Sequence, residues 1–174
     1  VDPLKYFDEV YASDNKSIYI VDYHAELTLE KNLLAYYLDG RASLIYGTHT
    51  HVQTADETIY ESGMGYITDV GMTGPKESVL GIEPSLAIKK MKYHIPVRFQ
   101  NAEGRHVMNA CLIDIDEKTG EVTPYDEAKK KECYDRMTKI KAKIDSGIDF
   151  STVAQKNSDS QQTEFVFGKG DMEK

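Results

Sequence analysis

Short apolar runs alternate with segments of helical period through the first half of the chain, and that rhythm sets the predicted architecture. Residues 3–15 carry a helical pattern that ends near Ser13-Asp14-Asn15. Ser17-Ile18-Tyr19-Ile20-Val21 is a short β-branched run bounded by polar residues, which reads as a buried strand. It delivers Asp22-Tyr23-His24-Ala25-Glu26 at its C-terminal end. Residues 28–39 form the next helix, with Leu29, Leu33, Tyr36 and Tyr37 as its apolar stripe and Gly40 as its stop. Residues 42–46 are a second strand. Strand, helix, strand in this order is an α/β crossover, and in such folds chemistry collects at the C-terminal ends of the strands.

Further on, Thr58-Ile59-Tyr60 and Gly65-Tyr66-Ile67-Thr68 flank a turn at Glu61-Ser62-Gly63, the pattern of a hairpin with glycine at its bend. Residues 69–75 are a glycine-punctuated loop, and residues 83–92 form a helix with Pro84 in its first turn. Residues 96–99 and 108–115 read as strands, and residues 116–120 as a charged turn. The character then changes, and a boundary is expected near residues 117–126. Residues 126–145 form a long charged helix, with Ala128, Cys133, Met137, Ile140 and Ile144 at helical spacing. Ser146-Gly147 breaks it, a short helix follows at 149–154, then a polar loop, and residues 165–172 read as a strand and turn.

The candidate chemistry lies where the second strand ends. In Gly47-Thr48-His49-Thr50-His51 two histidines stand two apart, and a strand's period of two would send both from the same side. Neutral imidazole is a common metal ligand. With His24 at the neighbouring strand end, three imidazoles fall plausibly on one rim, and imidazole with carboxylate oxygens suits zinc, manganese or iron. Asp22, Glu26, Asp56 and Asp69 are acids placed to accept a ring N–H and orient a histidine, Glu26 being better read as a solvated loop acid. His94 and His106 stand in loop-like contexts away from this rim.

Composition narrows the partners. The 174 residues are 40% hydrophobic and 29% charged, an ordinary globular balance with room for one sizeable domain or two small pieces. A net charge of −8 argues against a broad nucleic-acid surface, but it allows a small phosphate ester held through metal ions. No run approaches the roughly 18 apolar residues of a membrane span. Val1-Asp2-Pro3-Leu4 carries no signal-peptide pattern, and the lack of an initiator Met hints that the true N-terminus lies upstream of Val1. Cys111 and Cys133 fit no zinc or redox spacing, and Cys111 reads as a small core residue. The twelve tyrosines read as half-buried strand and helix residues. Homo-oligomerisation is compatible with all of this.

Several words in the chain carry a family resemblance. Val21-Asp22-Tyr23-His24-Ala25-Glu26, Asp39-Gly40-Arg41, the stretch from Gly47 to Asp56, and Tyr66-Ile67-Thr68-Asp69-Val70-Gly71-Met72-Thr73-Gly74-Pro75 resemble the YmdB-type bacterial metallophosphoesterases of the calcineurin-like superfamily. The resemblance covers roughly residues 1–122, including the stretch from Asn109 to Asp116. It implies an α/β sandwich of β-sheets flanked by helices, of which this would be the C-terminal half. It also implies two divalent transition-metal ions (iron, manganese or zinc) and hydrolysis of small phosphodiesters such as 2′,3′-cyclic nucleotides. By that resemblance His24 and His49 bind one metal and His51 the other, with Asp56 and Asp69 behind them. The family's Gly-Asp, Gly-Glu-Asn and Gly-Asn-His motifs, which supply the remaining ligands and the general-acid histidine, do not occur here. Val1 begins where that half would just have ended, so the general-acid histidine is expected upstream of Val1. The chain alone is therefore expected to be inactive or nearly so. A cytoplasmic location is the family's implication.

The tail has a different resemblance. Residues 126–174, through Lys139 to Ala154, Asn157-Ser158-Asp159 and Phe167-Gly168-Lys169-Gly170-Asp171-Met172, resemble part of a parvulin-type peptidyl-prolyl isomerase. The segment would be mainly helical and an incomplete α+β piece. Phe167 and Met172 would fall where that family builds its proline pocket.

Overall fold

The computed structural model describes residues 2–148 together with Thr152 and Lys156. The chain divides into two compact units, residues 1–124 and 125–174. Val1, the reference point for the expected upstream half, lies outside the described residues. The short helix 149–154 is described only at Thr152. The strand-and-turn of 165–172, with Phe167 and Met172, also lies outside the described residues.

The first unit opens with α1 (Pro3–Ser13). The Asp2 carboxylate accepts the Leu4 N–H at 3.0 Å, and Pro3 stands in the first turn, where a missing N–H costs nothing. Then follow β1 (Ile20–His24), α2 (Thr28–Leu38), β2 (Leu44–Thr48), β3 (Thr58–Ile59) and β4 (Gly65–Ile67). They build one sheet in the order β1-β2-β4-β3. β1, β2 and β4 are parallel, and β3 closes the edge antiparallel to β4. The predicted crossover and hairpin are both present. Gly40 adopts φ +76° just past α2, and Gly63 adopts φ +86° in the hairpin bend. The core gathers Phe7 of α1, Leu34, Ala35 and Leu38 of α2, Ile45 and Tyr66 of the sheet, and Ala42 and Met64 just before β2 and β4.

The helix stripe differs from the expected one. Helix α2 turns Lys31, Leu34, Ala35 and Leu38 inward, at i, i+3, i+4 and i+7. Leu29 and Tyr36 are instead 73% and 74% exposed, and Leu33 and Tyr37 also face outward. Two stripes compete on this helix. The buried one is hidden in the sequence because it begins with a lysine. Strands β1 and β2 also start later than the apolar runs suggest, so β1 includes Asp22 and His24, and β2 includes Thr48. Ser17 is held back by the Asp14 carboxylate, which accepts its hydroxyl.

A two-stranded antiparallel sheet joins β5 (Thr73–Pro75) to β6 (His106–Met108), with α3 (Pro84–Tyr93) between them in sequence. Residues 96–99 are not a strand, and of 108–115 only Met108 is in one. The partner β5 is three residues long and begins at Thr73, opposite Met108, so a longer β6 would have to pair with Met72 and the residues before it, where Gly71 adopts φ +80° and is not extended. Just beyond Met108 the chain is held by single contacts, and only at Ile115 does it pair again, as an isolated antiparallel bridge to Val122. The Asn109 N–H donates to the Met72 carbonyl at 3.2 Å, and the Gln53 amide donates to the Ala110 carbonyl at 3.1 Å. Cys111 is consequently exposed rather than a core residue.

In the second unit α4 (Glu127–Asp145) starts at Asp126, whose carboxylate accepts the Lys129 N–H at 2.7 Å. It stops at Ser146-Gly147, where Gly147 adopts φ +85°. Cys133, Met137, Ile140 and Ile144 are half-buried, whereas Ala128 is exposed. No helix among the described residues is long and apolar enough to cross a membrane.

Candidate metal centre

Parallel pairing places His24, the last residue of β1, directly opposite Thr48, the last residue of β2. The Thr48 hydroxyl oxygen is 3.0 Å from His24 Nδ1 and 3.5 Å from an Asp22 carboxylate oxygen. The polarity that satisfies all three has the hydroxyl donating to Asp22 and accepting from Nδ1–H of His24. That tautomer leaves a lone pair on His24 Nε2, aimed along the rim. There it meets His49 Nδ1 at 3.1 Å, the two rings standing edge to face with centroids 4.9 Å apart. Two imidazole nitrogens bound at about 2.0–2.1 Å to one ion lie roughly 2.8–3.4 Å apart for bond angles between square and tetrahedral. The observed separation thus suits a shared cation as well as a direct hydrogen bond.

His49 and His51 do not leave from the same side of a strand. The strand stops at Thr48, and the next residues form a bend in which His49 adopts φ +129° and His51 φ +62°. Period-two alternation no longer applies, and the two rings separate. His49 meets His24, while His51 donates from Nδ1 to the Leu80 carbonyl at 2.9 Å. In the neutral ring, a carbonyl partner on Nδ1 selects the tautomer whose lone pair is on Nε2. Among the described residues no group of three or more His, Cys, Asp or Glu side chains converges as a metal site. The rim therefore presents a pair of facing nitrogens and, apart from them, one oriented imidazole. The general-acid histidine expected upstream of Val1 falls outside the described residues.

The first unit is nearly coextensive with a family match: the model for YmdB-like proteins matches residues 1–127. The chain belongs to the YmdB-like family. It is 51% identical over 120 residues to the 2′,3′-cyclic-nucleotide 2′-phosphodiesterase of Bacillus subtilis, covering 68% of this chain and 46% of that protein. It is 37% identical over 121 residues to a putative phosphatase/phosphodiesterase of Mycoplasma pneumoniae, covering 69% of this chain and 43% of that one. Among solved structures, a novel phosphatase from Mycoplasma pneumoniae aligns with TM-score 0.64 and 34% identity, covering 71% of this chain and 44% of that one. A hypothetical protein from Thermus thermophilus aligns with TM-score 0.61 and 35% identity, covering 71% and 48%. The chain thus spans less than half the length of these relatives.

The acids behind the YmdB-like rim hold backbone rather than rings. Asp69 accepts the Thr50 N–H at 2.8 Å through one oxygen and the Gly71 N–H at 2.8 Å through the other, and Lys31 Nζ reaches it at 3.0 Å. Burial pushes the Asp69 carboxyl up. The two amides and Lys31 more than offset this, leaving it below the usual carboxylate range. Asp56 takes the Thr68 N–H at 3.2 Å and the Thr68 hydroxyl. Burial raises its carboxyl too, and hydrogen bonds from Thr54 and Thr68 bring it below the usual value. Asp22 reaches His24 only through Thr48, and Glu26 is exposed. His94 caps α3 at φ +52° and His106 lies on β6, both exposed.

Thr48, Lys31, Thr54 and the Leu80 carbonyl escape sequence reasoning. Pairing the two parallel strands by their ends would have found Thr48. Lys31 could have been flagged as a charge within an apolar i, i+3, i+4, i+7 set. A main-chain carbonyl leaves no trace in sequence.

Proposed function

We infer that this chain supplies part of the metal centre of a phosphodiesterase acting on small phosphodiesters such as 2′,3′-cyclic nucleotides. The observation that carries this is the 3.1 Å approach of His24 Nε2 to His49 Nδ1 across two strand ends, with His24 oriented from behind by Thr48 and Asp22. The names of the Bacillus subtilis and Mycoplasma pneumoniae relatives support the reaction class. In this reading residues 1–122 are the metallophosphoesterase part, and the sheets described are a portion of a β-sandwich. His24 and His49 would hold one divalent transition-metal ion, and His51 would be a ligand of a second. Iron, manganese and zinc all suit imidazole donors.

Such ions, when bound, activate a water-derived nucleophile and neutralise charge on the phosphate oxygens. The residues of this chain orient the donors. Thr48 fixes the tautomer of His24, and Leu80 fixes that of His51. Two facing nitrogens are fewer than the three protein ligands a catalytic zinc takes. The remaining ligands, and the general acid, come from residues beyond those described. Residues 1–174 alone should hydrolyse cyclic nucleotides little or not at all.

Calorimetric titration of the chain with zinc or manganese tests the reading. Binding that His24→Ala and His49→Ala each abolish supports it, and binding indifferent to both overturns it. Rapid hydrolysis of 2′,3′-cyclic AMP by residues 1–174 would overturn the partial-site claim. The parvulin-like reading of residues 126–174 stands on its sequence words, and a proline cis/trans assay on that segment in its natural context tests it.

A further inference from the structure

The buried Lys31–Asp69 pair has no part in the scheme above, and the cost of burying it calls for a role. Both side chains are removed from solvent, at 1% and 0% exposure, and an ion pair in that setting is weak as a source of stability. Its geometry is more informative. The Lys31 stem leaves α2 and passes over Gly47, where an added Cβ would lie 2.8 Å from Lys31 Cδ. The ammonium then meets Asp69 just beyond the end of β4. The same Asp69 oxygen that receives Lys31 also receives the N–H of Thr50, the residue between the two histidines. The other oxygen takes Gly71 N–H, and the Asp69 main chain is clamped both ways by Thr54. The carboxylate is thus held from several sides, and it grips the histidine bend at Thr50, whose amide is flanked by two residues at positive φ. A non-glycine residue holds such a conformation only where its surroundings over-determine it.

We propose that Lys31 and Asp69 are positioning residues. The lysine locks the carboxylate, and the carboxylate holds the His49-Thr50-His51 bend so that the His49 ring faces His24 and the His51 ring meets the Leu80 carbonyl. The consequence for metal binding rests on the reading in the preceding subsection, but the consequence for ring placement does not.

The test is a double replacement, Lys31→Met with Asp69→Ala, which removes both charges together and leaves neither buried alone. Nuclear magnetic resonance of the full chain without metal should show cross-peaks between the His24 and His49 rings in the wild type and none in the double variant. The Leu34 and Ile45 amides should stay protected. Zinc affinity should fall about 10–100-fold, the range typical of groups that orient ligands from behind. Lys31→Met with Asp69→Asn, which keeps an oxygen for Thr50 N–H, should restore the cross-peaks and most of the affinity. Ring cross-peaks and zinc affinity unchanged in the Ala variant would overturn the proposal. If that variant does not fold, wild-type hydrogen exchange decides: Thr50 and Gly71 amides as protected as the core support it, and amides as fast as an open loop refute it. Wild-type zinc binding that ignores His24 and His49 would sink the metal reading, while the cross-peak and exchange arms still judge the positioning.

Discussion

Gly47→Ala should be among the most damaging single-methyl additions this chain can receive. A Cβ built on Gly47 would lie 1.9 Å from the main-chain oxygen of Thr68 and 2.8 Å from Lys31 Cδ. The lysine stem is flexible at its far end, but the carbonyl is backbone. Carbon and carbonyl oxygen approach to about 3.3 Å, so β2 and the end of β4 would have to part by roughly 1.4 Å. That opens the Val70 N–H bond to the Gly47 carbonyl, now 2.9 Å, and strains the pairing of Tyr46 with Ile67. Overpacking costs about 1–3 kcal/mol, and one or two weakened backbone bonds add about 0.5–1.5 kcal/mol each. A total of about 3–5 kcal/mol translates into a melting point lower by roughly 10–15 °C for a chain of this size. Gly74→Ala is the control. Its new Cβ meets only the Met72 side chain, at 3.7 Å, and should change stability by less than about 0.5 kcal/mol. Thermal melts followed by far-ultraviolet circular dichroism measure both. A Gly47→Ala protein melting within about 3 °C of wild type would refute the close-approach argument.

Other outcomes follow from the same geometry. Lys31→Met alone leaves Asp69 buried without its counter-charge and should cost about 3–5 kcal/mol in urea denaturation, more than the paired Lys31→Met, Asp69→Asn change. Hydrogen bonds from Tyr37 and then Arg41 hold the Asp8 carboxyl below its ordinary value. The unfolded chain therefore binds that proton more readily, so this contribution is complete above about pH 4 and lost as pH falls through the lowered folded value. Asp8→Asn should flatten that part of the acid limb in a pH series of denaturation curves. Thr48→Val keeps the strand but removes the acceptor for His24 Nδ1–H, and zinc titration should show affinity reduced about 10-fold or more, with little change in melting point.

The α/β crossover and the hairpin were legible because each rests on local rules: short apolar β-branched runs, a glycine at φ +76° after α2, another at φ +86° in the bend. The approach of His49 to His24 was legible because strand ends in a parallel sheet bring such residues together. What failed was tertiary. The inward face of α2 carries Leu34, Ala35 and Leu38 into the core and Lys31 to Asp69, 38 residues away, a contact that no helical periodicity encodes. The expected strand from 108 to 115 has the right composition, but its partner begins only at Thr73, opposite Met108, and Gly71 just before it adopts φ +80°. The divergence of His49 from His51 goes with two positive φ angles on either side of Thr50, whose N–H donates to the Asp69 carboxylate, so alternation along the sequence could not describe it.

The contact between His51 and Leu80 has a bearing on which sequence changes this rim tolerates. Leu80 presents its carbonyl from a tight reversal in which Val79 and Ile82 exchange both main-chain bonds, at 2.9 and 3.0 Å, and Leu80 and Gly81 adopt φ +54° and +95°. The acceptor is main chain, so the identity of the side chain at position 80 carries almost no information about it. Leu80→Gly or Leu80→Asn relieves the left-handed conformation and keeps the bond. A single residue inserted between Pro75 and Ile82 shifts the carbonyl and breaks it. Variation at this contact is therefore silent in substitutions and is recorded in the length of the loop.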